Sequence, residues 1–181
     1  MNKTGEYRFT IIVPVYNETD NIYALEKALN EFIPKSRYKT CALFVNDGSS
    51  DGSLDRIQEV CSRSKDLYYI SFVKNAGLSA AIKAGFDYSC SDFVGYMDAD
   101  LQTTPEDFNL LLEGIEEKSM MIGIRANRKD SFFKRIQSKI ANGFRKMMTR
   151  DGATDTGCPL KVLHTDVAKR IPMFKGMHRF L

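Results

Sequence analysis

The 181-residue sequence has only four cysteines, Cys41, Cys61, Cys90 and Cys158, with no CxxC pair and no His-linked spacing. That scarcity excludes a disulfide scaffold, a zinc site and a redox dithiol, and predicts buried or half-buried thiols in a reducing compartment. No apolar run approaches the roughly 18 residues that a membrane-spanning helix needs. The N-terminal run, Phe9 to Val13, is too short for a signal peptide and is closed by Pro14. Neither GxxxxGK(S/T) nor GxGxxG occurs, so no Walker or Rossmann glycine loop is available to hold a phosphate. Internal repeats, low-complexity tracts and linkers are also missing, which leaves one domain.

What is present suffices for a core. With 43% apolar and 27% charged residues, a chain of this size buries roughly 70% of its unfolded surface. The net charge of +3 conceals an asymmetry. Residues 1–124 carry 12 Lys and Arg against 19 Asp and Glu, a net −7, whereas residues 125–181 carry 14 against 4, a net +10. A basic segment of that size calls for an anionic partner such as phosphate, nucleic acid or a membrane surface. Nucleic acid fits poorly, because no recognition motif occurs and the aromatic residues of the basic segment fall on an apolar helix face.

Apolar runs and helical periodicity alternate along the first two thirds. Phe9 to Val15 reads as a buried strand, followed by candidate N-caps Asn17, Thr19 and Asp20 and by Ile22, Leu25, Leu29, Phe32 and Ile33 at helical spacing. Cys41 to Val45 and the helix of Leu54, Ile57, Val60 and Cys61 repeat the unit. Tyr68 to Val73 and Phe93 to Met97 are further strands, with a small-residue helix from Leu78 through Phe86 between them. A helix from Pro105 to Glu117 and a strand over Met120 to Ile124 follow. This order predicts an α/β fold, a three-layer sandwich on a mostly parallel central sheet, with ligand loops at the carboxyl ends of the strands.

Two of those loops are acidic. Asn46-Asp47-Gly48-Ser49-Ser50-Asp51-Gly52 also reads as a turn with a helix cap. Asp98-Ala99-Asp100 is harder to explain structurally, because two carboxylates one residue apart at a strand end repel each other. In extended backbone their side chains point the same way and converge on one hard cation. Mg²⁺ binds through one or two carboxylates plus substrate phosphates, so a nucleotide diphosphate fits this chemistry.

Four strings in register, Ile12-Val13-Pro14-Val15-Tyr16-Asn17-Glu18, Val45 to Gly52, Asn75-Ala76-Gly77 and Met97-Asp98-Ala99-Asp100-Leu101-Gln102, resemble family 2 glycosyltransferases of the Rossmann-like GT-A fold. The Asp-Ala-Asp-Leu-Gln string, the Pro-Glu that follows, an Arg-rich segment and Asp155-Thr156-Gly157-Cys158 resemble the polyprenyl-phosphate sugar transferases, the dolichol-phosphate mannose synthase group. The resemblance implies inverting transfer of a sugar from a UDP or GDP donor to undecaprenyl or dolichyl phosphate, with Mg²⁺ or Mn²⁺. It places Pro14, Tyr16, Glu18, Asp47 and Asp98 around the nucleoside, with Asp47 accepting from the base, and Asp98, Asp100 and Gln102 at the metal and pyrophosphate. One departure is Asn46, where the family commonly has a second aspartate.

The basic segment supplies an acceptor reading. Phe132, Phe133, Ile136, Ile140, Phe144, Met147 and Met148 recur at helical spacing, interleaved with Lys134, Arg135, Lys139, Arg145 and Lys146. Such a basic amphipathic helix is either an ordinary packing helix or one lying on an anionic membrane, where each cation contributes about 1 kcal/mol. The resemblance puts the acceptor phosphate on Lys134 or Arg135 with Ser138. Arg125 and Arg128 suit the donor or acceptor phosphate. Asp155 falls where many family members keep a general base; a phosphate acceptor is already anionic, so Asp155 reads as a positioning residue. His178, in Gly176-Met177-His178-Arg179-Phe180, resembles a family string near the sugar, whereas His164 reads as an ordinary core or surface histidine. The resemblance further implies a catalytic domain of a longer membrane-associated protein, at the inner face of the cytoplasmic membrane. The alternative is a family 2 enzyme that glycosylates a saccharide hydroxyl in cell-surface polysaccharide synthesis, for which Asp155 must act as base.

Overall fold

The computed structural model describes residues 6–123 and 160–177. Its centre is a six-stranded sheet in the order β3-β2-β1-β4-β6-β5. Strand β1 (Phe9–Val15) is buried along its whole length, as its β-branched run demands. It pairs in parallel with β2 (Thr40–Asn46) on one side and β4 (Phe93–Tyr96) on the other, and β3 (Leu67–Ser71) adds a parallel edge to β2. Strand β6 (Lys161–His164) runs antiparallel to β4, and β5 (Met120–Ile122) antiparallel to β6. The predicted strand over Met120 to Ile124 forms as β5 over Met120–Ile122; Gly123 already lies outside the strand, and Ile124 lies outside the described residues.

Alternation along β1 divides the core between two faces. Phe9, Ile11, Val13 and Val15 pack on α1 (Ile22–Phe32), α2 (Ser53–Arg63) and α4 (Phe108–Leu112) through Leu25, Leu29, Phe32, Ile57, Val60 and Phe108. Ile12, with Leu43 and Val45 of β2, packs on α3 (Leu78–Tyr88) and α5 (Thr165–Arg170) through Ala81, Ile82, Phe86 and Ala168. The Phe9 and Phe108 rings meet edge to face at 5.2 Å between centroids. Burying each such ring contributes about 1.5–3 kcal/mol.

Several expectations are corrected. The predicted helix over Pro105 to Glu117 breaks into a 3-10 turn at Pro105–Asp107, the short α4, and a second 3-10 turn at Ile115–Glu117. Gly114 marks the break; glycine costs about 1 kcal/mol in a helix, and here the chain turns back toward β5. Asn17, Thr19 and Asp20 do not cap α1, which is entered through a 3-10 turn at Thr19–Asn21 without a side-chain cap. Asn17 instead accepts the Ser50 N–H at 2.9 Å. Cys41 is buried and Cys61 half-buried as expected, but Cys90 is exposed. Its neighbours take the buried positions: the Ser89 hydroxyl donates to the Gly85 carbonyl at 2.7 Å and the Ser91 hydroxyl to the Phe93 carbonyl at 2.8 Å.

Candidate functional site

Strand β1 has β2 on one flank and β4 on the other, so the chain reverses its direction of sheet growth there. A crevice opens outside the carboxyl ends of strands at such a switch point. The cleft found there measures about 390 Å³ and is lined by Pro14, Val15, Tyr16 and Glu18 after β1, Asp47 after β2, Asn75, Gly77, Leu78 and Ala81 around the start of α3, and Asp98, Ala99 and Asp100 after β4. The site residues expected at Pro14, Tyr16, Glu18, Asp47, Asp98 and Asp100 thus share one cavity.

Asp47 holds two of its walls together. Its Oδ1 accepts the Ala76 N–H at 2.7 Å, and its Oδ2 accepts the Gly77 N–H at 2.9 Å and the Asn75 side-chain amide at 2.9 Å. Asp47 is 3% exposed, so three donors compensate its carboxylate for the loss of water. Gly48 lets the loops come this close. A Cβ there would stand 2.4 Å from the Lys74 carbonyl carbon and 2.5 Å from the Asn75 nitrogen, and its φ of +65° is left-handed. Asn46 is structural: its amide donates to the Ser71 hydroxyl at 2.8 Å, and its Oδ1 accepts the Ser49 N–H at 3.2 Å.

The rest of the Asp47–Gly52 loop, with Ser53 at the start of α2, fastens the β1 end. Ser49 Oγ accepts the Asn17 N–H at 3.0 Å, Ser53 Oγ the Glu18 N–H at 3.0 Å, and Asp51 Oδ2 the Thr19 N–H at 3.1 Å. Burial pushes the Asp51 carboxyl up, but hydrogen bonds from the Ser53 hydroxyl and from the Ser53 and Thr19 backbone outweigh it and hold it below the ordinary carboxylate range. The turn reading of this loop therefore holds for Ser49, Ser50 and Asp51, but α2 starts from Gly52 without a side-chain cap, and Asp47 reaches the cleft. Glu18 is tied to Asn21, whose amide donates to its Oε2 at 2.6 Å.

Asp98 and Asp100 approach from β4. Asp100 Oδ1 accepts the Gln102 N–H at 3.1 Å, across Leu101 at a left-handed φ of +57°. A leucine in that region costs about 1–3 kcal/mol, and Leu101 packs against the core cluster, which anchors the turn. Gln102 is exposed and is not part of the cleft lining, its backbone instead fixing Asp100. The described lining residues include four carboxylates, at Glu18, Asp47, Asp98 and Asp100, and no Lys or Arg. Among the described residues no group of three His, Cys, Asp or Glu side chains forms a closed metal cage. Two carboxylates facing a cleft fit Mg²⁺ or Mn²⁺ completed by a ligand's phosphates.

Arg125, Arg128, Lys134, Arg135, Ser138, Asp155 and His178 lie outside the described residues. His164 is a structural histidine, its ring nitrogen 3.0 Å from the Ile115 carbonyl oxygen. Sequence reasoning missed the cleft-lining Leu78 and Ala81, and it missed Lys161. That lysine is 1% exposed on β6, with its ammonium 3.1 Å from the Tyr96 hydroxyl, two residues before Asp98. The one signal for it was the short apolar run Val162-Leu163, which a leading lysine disguises.

The family description "Glycosyl transferase family 2" matches residues 10–171. The undecaprenyl-phosphate 4-deoxy-4-formamido-L-arabinose transferase of Edwardsiella ictaluri is 33% identical over 162 residues, covering 88% of this chain and 50% of the relative. The dodecaprenyl-phosphate galacturonate synthase of Rhizobium johnstonii is 29% identical over 176 residues, covering 95% and 52%. The chain therefore spans about half the length of these curated relatives. Among solved structures, a Pyrobaculum calidifontis mannosyltransferase in complex with GDP-Man and Mn²⁺ superposes with a TM-score of 0.64 at 16% identity, covering 93% of this chain and 47% of that one. A Mycobacterium tuberculosis glucosyl-3-phosphoglycerate synthase, in complex with Mn²⁺, UDP and glucosyl-3-phosphoglycerate, gives 0.67 at 12% identity, covering 89% and 58%. The fold is the glycosyltransferase GT-A fold expected from the sequence, and the chain belongs to glycosyl transferase family 2.

Proposed function

We propose that this chain is the donor-binding catalytic domain of an enzyme that transfers a sugar, with inversion, from a nucleotide diphosphate to a polyprenyl phosphate. The observation that carries the reading is the convergence of Asp47, Asp98 and Asp100 in one cleft at the switch point of the sheet. A cleft whose described walls carry only negative charge repels a diphosphate unless a divalent cation offsets it. Asp98 and Asp100 would hold that cation. When bound, it supplies a counter-charge for the departing diphosphate. The solved neighbours in complex with Mn²⁺ and GDP-Man or UDP support the donor class, and the relatives named for undecaprenyl and dodecaprenyl phosphate support the acceptor class.

The chain's own residues would divide the work. Pro14, Tyr16 and Glu18 flank the nucleoside, Asp47 fixes the wall beside it, and the Leu101 turn holds the Asp100 carboxylate before any ligand arrives. Arg125 would meet the donor pyrophosphate, and Arg128, Lys134, Arg135 and Ser138 the acceptor phosphate. Asp155 would orient that acceptor without removing a proton. A lipid phosphate acceptor would place the enzyme at the inner face of the cytoplasmic membrane. Incubation of radiolabelled UDP- and GDP-sugars with polyprenyl phosphate and Mn²⁺ tests the reading. Acid-labile lipid-linked sugar should form and persist with Asp155→Asn. Label on a saccharide hydroxyl, abolished by Asp155→Asn, contradicts it.

A further inference from the structure

Lys161 is 1% exposed on β6, an interior strand with β4 on one side and β5 on the other, and its neighbours Leu160, Val162 and Leu163 are also buried. Taking an ammonium out of water costs free energy that an apolar side chain of similar length does not incur. A buried strand position that breaks the apolar rule is where a functional constraint is expected. The antiparallel register sets Lys161 directly opposite Tyr96 of β4, and its ammonium donates to the Tyr96 hydroxyl at 3.1 Å. Tyr96 is itself buried and packs in the same cluster as Ala81, a wall of the donor cleft.

The chain leaves β4 straight into the acidic wall. Met97, Ala99 and Leu101 pack on the face of the sheet that α1 covers. Alternation turns Asp98 to the opposite face, that of α3, in line with Tyr96 two residues before it. One face of this strand end is thus anchored by apolar packing, and on the other Tyr96 is the buried side chain that precedes the carboxylates. We infer that Lys161 is a positioning residue of the donor site, which through Tyr96 fixes the end of β4 and with it the places of Asp98 and Asp100; the inference rests on the metal-dependent donor reading above. Lys161 does not line the cleft, so it acts by restraining Tyr96 and not by touching a ligand there. Asp98 and Asp100 repel each other until a cation arrives, and a strand end held from both faces resists the displacement that this repulsion favours. The restraint needs a donor, which a methionine of similar length lacks.

Charge and positioning act with opposite sign on the metal. A buried cation near the site opposes Mn²⁺, so its removal should tighten metal binding if charge alone mattered, whereas lost placement of the ligands weakens it. Electron paramagnetic resonance titration of Mn²⁺ into the full protein, with UDP or GDP present, separates the two. The variants are Lys161→Met, Tyr96→Phe and, as a control, Leu163→Ala, which removes packing opposite Val94 on the same face of β6. Lys161→Met should weaken Mn²⁺ binding about tenfold, the scale on which groups that orient metal ligands from behind act. Tyr96→Phe should weaken it in the same direction, and Leu163→Ala should melt lower yet bind Mn²⁺ like the parent. Unchanged or tighter Mn²⁺ binding in Lys161→Met or Tyr96→Phe, each melting cooperatively, overturns the inference. An equal loss in Leu163→Ala also overturns it, by making the effect a general loosening of the sheet. If Lys161→Met does not fold, Tyr96→Phe decides alone. A parent protein that binds no Mn²⁺ with either nucleotide refutes the donor reading, and the role of Lys161 with it.

Discussion

The Asp47 carboxylate at the end of β2 accepts the Gly77 backbone N–H at the entrance to α3 at 2.9 Å, joining two loops that are thirty residues apart in the chain. This contact, with those to Ala76 and Asn75, sets the width of the cleft on its β2 side. Asp47→Asn retains the shape but turns one acceptor oxygen into a donor facing N–H groups. The expected cost is about 2 kcal/mol, read in calorimetry as a fall in Tm of about 5 °C. Nucleotide affinity, measured by titration calorimetry, should fall with it.

Gly48 and Gly77 both have left-handed φ, +65° and +94°, yet their surroundings differ. At Gly77 a Cβ meets nothing within 4 Å, so Gly77→Ala should cost only the backbone penalty, about 1–3 kcal/mol at a φ of 94° and ψ of 155°. At Gly48 the same atom overlaps the Lys74 and Asn75 backbone, and Gly48→Ala should be the more destabilising by a further 1 kcal/mol or so. Urea unfolding of the pair checks the ranking; equal stability would show that the loops separate freely.

Acid stability should depend on Glu26. Hydrogen bonding to the Arg63 guanidinium, 2.5 Å away, lowers the Glu26 pKa against the opposing effect of burial. A carboxylate depressed in the folded state stabilises the protein above its unfolded pKa of about 4.3, and that contribution disappears as pH falls through the folded value. Stability should therefore be level from neutral pH to about 5 and then decline, less steeply in Glu26→Gln. Unfolding free energies at stepped pH measure the two slopes.

Much of this architecture was legible in the sequence because its signals are local. Phe9–Val15 and α1 begin where the apolar pattern begins, and the parallel order follows from strand and helix alternation. The acidic loops proclaimed themselves by repelling charge at Asp98 and Asp100. What escaped depends on contacts distant in sequence. Strand β6 is only four residues long and opens with Lys161, whose burial makes sense only once Tyr96 lies opposite it in the antiparallel register. The use of Asp47 as a clasp, with Asn75 to Gly77 as its donors, required the two loops to be seen side by side. Leu78 and Ala81 read as helix positions and became cleft walls through the packing of α3 on the sheet.

The proposed donor site requires Asp98 and Asp100 to bind a nucleotide diphosphate through a divalent cation. Thermal unfolding with UDP, GDP, CDP and dTDP, each with and without Mn²⁺, tests it most directly when run beside Asp100→Asn, whose side-chain oxygen can still accept the Gln102 N–H. At 100 times its dissociation constant a ligand adds about 2.7 kcal/mol to the folded state. The Tm should rise for one nucleotide, only with Mn²⁺ and not in Asp100→Asn, which should melt like the parent when no ligand is added. A nucleotide shift of equal size without metal, or one that survives in Asp100→Asn, would contradict it.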